Sequence, residues 1–247
     1  MAYLERDIRR LVGKAIHKYR LIEEGDRILV ALSGGKDSLS MLQLLHERRP
    51  RVPTKYDLSV LTVDLGYREN SMGSLGEHVR KMGYEFVLKK TNIGELAHGA
   101  FNKENPCFLC ARLRRKIFFD EARNLGCNKV ALGHNRDDII ETFFLNVFYC
   151  GEISTIVPRQ ELFGGELSII RPLAMVSEEK IRRYAEGRTF PAVVDGCPTK
   201  GATRRWEIKR WVAEVSKENR RIKSNIFRAL SNVRCDYLLG DGNGPVP

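Results

Sequence analysis

Short apolar segments alternate with helical segments along most of the chain, and this alternation restricts the possible folds more than any other feature. Apolar runs typical of buried strands begin near residues 27, 57, 84, 128 and 167. Amphipathic helical patterns separate these runs. Strands that alternate with helices favour a parallel sheet covered by helices on both faces. We therefore predict an α/β fold with a doubly wound, mostly parallel five-stranded sheet and a basic helical C-terminal extension.

Length and composition suit one large α/β domain with an appendage. The chain has 247 residues, of which 43% are hydrophobic, enough for a full core. We expect an N-terminal helix at 1–24, a central domain at 25–175, a basic helical region at 176–235 and a disordered tail at 236–247. No apolar run reaches the ~18 residues of a membrane span, and the charged N-terminus lacks the apolar core of a signal peptide. The expected location is the cytoplasm.

Positive charge is concentrated in the last quarter of the chain. The formal net charge is +11, and residues 180–234 hold fifteen Lys and Arg against five Asp and Glu. Such a concentration is the electrostatic footprint expected for a polyanion such as nucleic acid. The alternative is a solvated helical face without a ligand.

Three polar loops follow predicted strands. They are "SGGKDS" at 33–38, "DLG" at 64–66 and "GHNRDD" at 133–138. Ligands of such sheets bind beyond the carboxyl ends of the strands, so the three loops are expected to form one site.

The loop at 33–38 has the composition of a magnesium-pyrophosphate site. Gly34 and Gly35 permit a tight turn, and the helix that follows directs N–H groups at an anion. Further donors come from Ser33, Lys36 and Ser38. Asp37 would repel a bare phosphate, but a carboxylate can hold the Mg²⁺ ion that phosphate oxygens share.

The three loops together resemble the N-type ATP pyrophosphatases, which are adenine nucleotide alpha hydrolase-like proteins with a pyrophosphate (PP) loop. "SGGKDS" resembles their pyrophosphate loop, "VDLG" at 63–66 the turn that receives adenosine, and "LGHNRDDIIET" at 132–142 the second motif of the tRNA-modifying branch. The resemblance implies cleavage of ATP between its α- and β-phosphates and transfer of AMP to a carbonyl oxygen. It implies nucleotide contacts at Ser33, Gly34, Gly35, Lys36, Asp37, Ser38, Asp64, Gly133 and His134. It implies catalytic roles for Lys36, Asp37 and one of Asp137 and Asp138.

Cysteine spacing indicates a second centre. Cys107 and Cys110 form a C-x-x-C at a predicted helix start, where the helix N-terminus is expected to lower thiol pKa values, and Cys197 lies in the loop sequence "DGCPTKG". Three thiolates fit a cubane iron–sulfur cluster with one iron left open. A redox dithiol, a zinc site and chance core cysteines remain alternatives. The other cysteines, at 127, 150 and 235, are interpreted as structural.

The pyrophosphate loop combined with a C-x-x-C and one distant cysteine resembles the tRNA 2-thiocytidine synthetase family. The resemblance implies a [4Fe–4S] cluster on Cys107, Cys110 and Cys197, together with ATP and Mg²⁺. It implies adenylation of the C2 oxygen of cytidine 32 in the tRNA anticodon loop, followed by its replacement with sulfur. A sulfur donor such as a cysteine desulfurase is also implied. Dimers occur among relatives, so a homodimer is one expectation.

Two basic segments are candidate RNA surfaces. "TRRWEIKRW" places Trp206 and Trp211 among Arg204, Arg205, Lys209 and Arg210. Cations for phosphates and rings for bases suit single-stranded RNA. Arg112 and Arg114, with the neighbouring Arg115 and Lys116, extend this prediction to the helix after the C-x-x-C. The alternative packs both tryptophans into the core.

Three other functions compete with this interpretation. A tRNA lysidine synthetase would share the loop but would not need the C-x-x-C. A tRNA 2-thiouridine synthetase would share the cluster, but it usually carries additional zinc-binding cysteine pairs, which this sequence lacks. An iron–sulfur RNA-binding protein without activity would not need the intact Lys-Asp-Ser of the loop.

Overall fold

The computed structural model describes residues 2–67, 72–193, 196–199 and 201–239. Within these ranges the chain forms six strands and nine α-helices. Residues 240–247 of the predicted disordered tail lie outside the described residues. The strands are β1 (Asp26–Ala31), β2 (Tyr56–Asp64), β3 (Phe86–Lys90), β4 (Lys129–Ala131), β5 (Arg159–Leu162) and β6 (Leu167–Ile170). The α-helices are α1 (Ala2–Lys18), α2 (Lys36–Arg48), α3 (Gly73–Lys81), α4 (Ile93–His98), α5 (Pro106–Asn124), α6 (Arg136–Tyr149), α7 (Glu178–Glu186), α8 (Arg204–Glu218) and α9 (Ile222–Ala229).

The strands form one sheet in the order β3-β2-β1-β4-β6-β5. Every neighbouring pair is parallel except β5 and β6, which are antiparallel. The predicted α/β fold and mostly parallel sheet are confirmed. The predicted number of five strands is wrong by one, because the short edge strand β5 has the polar sequence Arg-Gln-Glu-Leu and only one neighbour.

The central strand β1 contributes to two hydrophobic cores, one on each face of the sheet. Ile28 and Val30 belong to the core that also receives α1, α2 and α7. Leu29 and Ala31 belong to the core that receives α5. Successive side chains of a strand point to opposite faces, so a continuous apolar run is what a strand between two layers of helices requires.

Strand β1 pairs with β2 on one side and β4 on the other, which makes the boundary between β1 and β4 the point where strand order reverses. The loop at 33–38 leaves the carboxyl end of β1, and the loop at 133–135 leaves the carboxyl end of β4. Open parallel sheets bind ligands in the crevice at this point.

The chain divides into two compact units, here called the sheet unit and the helical unit. Within the described residues, the sheet unit contains 2–136 and 156–201, and the helical unit contains 137–155 and 202–239. The helical unit has a small core of its own, in which Ile140 of α6 packs with Ile208 and Val212 of α8. The boundary predicted at residue 176 therefore differs from the observed division, since α7 packs with the sheet unit.

The basic pattern predicted at about 202–232 is helical but not continuous. It forms α8 and α9, and Asn219 between them has an extended backbone. No helix among the described residues combines the length and the apolar composition needed to cross a bilayer.

A buried ion pair joins β1 and β4 at their amino ends. The Nζ atom of Lys129 lies 2.6 Å from Oδ2 of Asp26, and the two side chains are 3% and 5% exposed. Asp26 also accepts hydrogen bonds from the Glu23 amide and from Nδ2 of Asn128. Both charges are removed from water and compensate each other, and Lys129 has a second, more exposed carboxylate partner in Glu23 at 3.3 Å.

We expect Asp26→Asn to lower the free energy of unfolding by about 2–3 kcal/mol, since it removes the closer of the two carboxylates that pair with a buried ammonium and leaves only Glu23. Asp57→Asn is the matched control. Its carboxylate is 77% exposed and pairs with Arg49, so the loss should stay below about 1 kcal/mol. Urea denaturation of both variants checks the difference. Equal losses would contradict the assigned role of the buried pair.

Candidate nucleotide site and cysteine centre

The loop at 33–38 is a tight turn closed by its own hydroxyl groups. Gly34 has a φ of 80°, a left-handed conformation that favours glycine. The Ser33 amide donates to Oγ of Ser38 at 3.2 Å, and the Ser38 hydroxyl donates to the Gly35 carbonyl at 3.0 Å. Gly35 is the N-cap of α2 and provides no side-chain acceptor for the first helical amides. Those amides have no acceptor within the helix and suit a phosphate group.

Lys36 stands at the start of α2 between two carboxylates. Its Nζ atom lies 3.1 Å from Glu178 of α7 and 3.5 Å from Asp37. Burial lowers the pKa of Lys36, but Asp37 and Glu178 together outweigh that effect, so the net pKa is raised. The amine is therefore cationic at neutral pH, as a phosphate ligand must be.

Gly133, after β4, lies against the first turn of α2. A Cβ atom added at Gly133 would lie 3.1 Å from the Ser38 amide nitrogen and 3.2 Å from its Cα atom. A side chain at Gly133 would force the two backbones apart by a few tenths of an ångström, so the close approach favours glycine. The structure thus brings the predicted loops after β1 and β4 together.

His134, the next residue, is held by a buried arginine. Nε of Arg171 donates to Nδ1 of His134 at 3.2 Å, which makes Nδ1 the acceptor and places the proton of the neutral ring on Nε2. Arg171 is 3% exposed. Burial, with a smaller contribution from the charge of Arg115, lowers the pKa of Arg171 to about 10. Arg171 therefore remains charged at neutral pH and fixes the orientation of the imidazole.

Asp64 ends β2 and shapes the turn that follows. Its Oδ1 atom accepts a hydrogen bond from the Gly66 amide at 3.0 Å, and its carbonyl accepts from the hydroxyl of Thr91 at 2.7 Å. The carboxylate thus stabilises the predicted loop at 64–66.

The three predicted cysteine ligands converge in the sheet unit. Cys107 and Cys110 occupy the first turn of α5, where Asn105 caps the helix by accepting from the Cys107 amide. The hydroxyl of Thr199 lies 3.5 Å from Sγ of Cys107 and 3.3 Å from Sγ of Cys197. Cys197 therefore approaches the helical pair from 87 residues later in the sequence.

The thiol chemistry of this centre differs from the prediction at one position. Burial raises the pKa of Cys110, Arg114 opposes that effect, and the neighbouring Cys197 and Cys107 raise the pKa further. The lowering expected from the helix N-terminus is thus wrong for Cys110, because the thiol is half-buried. Since Cys107 and Cys197 both affect the pKa of Cys110, the three thiols lie close enough to interact electrostatically.

The spacing of these thiols bears on the kind of metal centre they fit. The described residues present no set of three or more His, Cys, Asp or Glu side chains arranged around a single ion. A closed zinc site needs four ligands at about 2.0–2.3 Å from one ion. In a cubane cluster each cysteine binds a different iron, so its ligands surround a larger volume. The donor set of three gathered cysteines would leave one iron of a cubane cluster without a protein thiolate, whereas a closed zinc site would need a fourth ligand.

Arg112 and Arg114, both predicted to bind RNA, have different surroundings. Arg112 is exposed, pairs with Glu104 at 2.9 Å and lies over the ring of Phe108. Arg114 is half-buried, lies over the ring of Phe118 and interacts with Cys110. This environment makes Arg114 a neighbour of the cysteine centre.

Within the helical unit, the candidate catalytic carboxylates of α6 are paired with cations of α8 and α9. Asp137 is buried and accepts from Nζ of Lys223 at 2.7 Å. Arg205 donates to Asp138 at 2.9 Å and to Glu141 at 3.0 Å. Burial raises the pKa of Glu141, and Arg205 opposes that effect. Arg205, predicted to contact RNA, thus bridges two carboxylates.

The remaining predicted RNA contacts on α8 lie beside aromatic rings or carboxylates. Arg204 lies 5.2 Å from the Tyr149 ring centroid and Arg210 lies 4.9 Å from that of Trp206. The charge of Lys209 slightly opposes the rise in the pKa of Glu141 that burial causes. Both tryptophans are more than 40% exposed, and Trp211 contacts Phe144 and Phe148 edge-on. The alternative that buries both tryptophans in the core is therefore wrong.

Sequence reasoning missed several residues of these sites: Glu178, Arg171, Thr199, Glu141 and Lys223. Glu141 could have been found, since it lies one helical turn after Asp138. Arg171 follows a predicted strand, but arginine is seldom fully buried, so its burial had no signal. The partners of Lys36 and Asp137 depend on tertiary packing.

We expect Gly133→Ala to weaken Mg-ATP binding by at least about tenfold, because its methyl group would press on the first turn of α2. Gly73→Ala is the matched control, since a Cβ there meets nothing within 4 Å. Isothermal titration of ATP with each variant, after thermal unfolding verifies folding, checks this. Undiminished affinity in Gly133→Ala would show that the close approach does not shape the nucleotide site.

Comparison with known proteins agrees with the geometry. The family model of the PP-loop domain matches residues 4–225. A tRNA-cytidine(32) 2-sulfurtransferase of Geobacter sulfurreducens is 39% identical over 94% of this chain and 91% of the relative. A tRNA-cytidine(32) 2-sulfurtransferase of Syntrophotalea carbinolica is 38% identical over 96% of this chain and 92% of the relative.

Two solved structures share the fold. The U34-tRNA thiolase NcsA from Methanococcus maripaludis, with its [4Fe-4S] cluster, has a TM-score of 0.75 and 21% identity, covering 97% of this chain and 81% of that chain. An NH3-dependent NAD synthetase from Campylobacter jejuni has a TM-score of 0.52 and 13% identity, and the match covers 93% of this chain and 92% of that chain. The predicted family is confirmed: the chain belongs to the PP-loop domain proteins and, among them, to the tRNA-cytidine(32) 2-sulfurtransferase family of enzymes.

Proposed function

We propose that this protein thiolates tRNA: it uses ATP to adenylate the C2 oxygen of cytidine 32 and replaces that oxygen with sulfur. The names of relatives that match more than nine tenths of the chain support the reaction and the base. ATP, Mg²⁺ and a [4Fe–4S] cluster are the cofactors of this proposal. It also includes a sulfur donor such as a cysteine desulfurase, a homodimer and a cytoplasmic location.

The observation that carries the proposal is the direct link between the nucleotide loop and the cysteine centre. Val193 packs so closely on Gly34 that a Cβ atom at Gly34 would lie 2.5 Å from a Val193 methyl group. Cys197 follows four residues later, and four extended residues span at most about 14 Å. A base activated at the loop would therefore lie near the thiols that supply the sulfur site.

The nucleotide loop has the groups needed for the first step. The N–H groups of α2 and the ammonium of Lys36 would hold the β- and γ-phosphates, and Asp37 would hold Mg²⁺. The C2 oxygen of cytidine attacks the α-phosphorus, and pyrophosphate leaves. Charge on the departing pyrophosphate is stabilised by these fixed donors, which is the main contribution of a protein to phosphoryl-type transfer.

The second step exchanges the activated oxygen for sulfur. A sulfide attacks C2 of the adenylated base, the C2–O bond breaks, and AMP leaves with the bonding electron pair, so no oxidant or reductant is needed in this step. Cys107, Cys110 and Cys197 would hold the cluster, with the half-buried Arg114 beside Cys110. When bound by three cysteines, such a cluster supplies an iron with no protein thiolate, where a sulfur atom can be held.

Expression of this chain in a bacterial strain that lacks 2-thiocytidine should restore that nucleoside in tRNA, whereas expression of Lys36→Gln should reduce it by about 100-fold or more. Lys180→Gln, on α7 beside Glu178, is the matched control and should restore it fully. Nucleoside mass spectrometry of purified tRNA measures the product. Appearance of a 2-thiouridine or of lysidine instead would overturn the choice of base and reaction.

Iron content tests the cysteine assignment separately. Protein purified without oxygen should be brown with about four irons per chain. Cys107→Ser and Cys197→Ser should each lose most of that iron. Cys150→Ser and Cys235→Ser, which alter exposed cysteines elsewhere, should keep it. Colourless parent protein with stoichiometric zinc would refute the cluster.

A further inference from the structure

An open pocket of about 330 Å³ lies along the outer side of α5 in the sheet unit. It is not part of the nucleotide loop or the cysteine centre. One carboxylate, Asp120, contributes to it. The other side chains are basic or aromatic: Arg112, Arg115, Lys116, Phe119, Arg123 and Phe163.

The backbone of Phe163 is strained where it presents its ring to this pocket. Its φ of 53° lies in the left-handed region, which is a genuine outlier for a bulky residue. The side chain is 48% exposed, so burial does not repay the strain. Strained residues persist mainly where the local conformation has a use. Here the conformation holds the ring on the turn between β5 and β6.

The exposed ring is part of an aromatic and cationic arrangement. Phe119 meets Phe163 edge-on, with centroids 5.6 Å apart. The guanidinium of Arg123 lies 4.8 Å from the Phe163 centroid. Rings available for stacking beside cations are the elements that bind single-stranded nucleic acid.

Charge around the pocket favours a polyanion. Four cationic side chains and one carboxylate line it. Arg112 and Arg123 have exposed partners, Glu104 and Glu166, and such surface pairs are worth about 0–1 kcal/mol, so a phosphate can replace them. The field of Arg115 reaches the interior, where it lowers the pKa of Arg171. An acidic peptide would satisfy the cations but would leave the rings unused.

The position of the pocket on α5 indicates which part of an RNA it would take. Phe119 lies nine residues after Cys110 on the same helix, which corresponds to about 14 Å at ~1.5 Å per residue. A base at the cysteine centre cannot occupy the pocket as well. Nucleotides that flank the target base can reach it.

We infer that this pocket binds single-stranded nucleotides of the substrate tRNA, flanking the modified base. Phe163 and Phe119 would stack on a base, and Lys116, Arg123 and their basic neighbours would contact the phosphates. The identity of the RNA rests on the proposed function. The pocket would position the tRNA without taking part in the chemistry.

Two variants of the full chain test this inference by fluorescence anisotropy with unmodified tRNA and no ATP. Phe163→Asn removes the ring and keeps a residue that tolerates positive φ, and it should weaken tRNA binding by about tenfold. Lys116→Gln with Arg123→Gln should also weaken binding. The slope of log Kd against log salt concentration should fall by about one for each phosphate that the double variant no longer neutralises. ATP affinity should stay unchanged in both.

The matched controls alter exposed residues on other elements. Tyr3→Asn removes a ring that is 75% exposed, and Arg51→Gln with Arg182→Gln removes two exposed cations. Both should leave the Kd for tRNA unchanged. If the pocket variants bind tRNA as tightly as the parent, with the same salt dependence, the inference is overturned, whatever else binds there.

The outcomes separate the pocket from the proposed function. Weakened binding in the pocket variants of a chain that forms no thiolated tRNA would retain the RNA site and reject the reaction. Normal thiolation with unaltered binding in the variants would reject the pocket alone. A parent chain that binds no tRNA would reject both.

Discussion

The close approach of Gly133 to the first turn of α2 is the constraint on which the site depends. The loops after β1 and β4 come from neighbouring strands at the point where strand order reverses. Their backbones lie close enough to share a ligand, and a side chain at Gly133 would push them apart by a few tenths of an ångström. Gly34 likewise permits the close approach of the Val193 side chain. Close packing at these glycines thus determines the positions of the loops, and the loops in turn position the charged groups of the site.

Electrostatic pairing divides the basic residues into two classes that the sequence presents as one. Some cations are committed to carboxylates within their own unit, as Arg205 is to Asp138 and Glu141, and Lys223 is to Asp137. Arg210 instead lies over the exposed ring of Trp206, and Arg204 lies over the ring of Tyr149 while it also pairs with Glu207 at the surface. The number of Lys and Arg residues, 42, therefore overstates the cations available to a polyanion. Some of them neutralise acidic residues of α6.

Much of the fold follows from local sequence patterns, because continuous apolar runs define the five strands that lie between helices or beside them. The edge strand β5 escapes this reasoning, since its polar residues have no periodic signal. The three loops of the nucleotide site could be placed because chain direction alone brings the carboxyl ends of parallel strands to one edge. The helical unit could not be predicted from local patterns, because its core joins Ile140 to Ile208 across more than sixty residues of sequence. Buried Arg171 and half-buried Arg114 also contradict the usual exposure of arginine.

The hydroxyl of Thr199 between Cys107 and Cys197 has a consequence for how the enzyme is loaded. A small neutral group lies between these two thiols, while Asn105 caps the helix start that carries Cys107 and Cys110. The hydrophobic core beside α5 consists mainly of other side chains, such as Phe118 and Ala122, and of the three cysteines only Cys110 packs at its edge. Because most core contacts beside α5 do not involve the cysteines, we expect the sheet unit to fold without metal and to bind a metal centre afterwards.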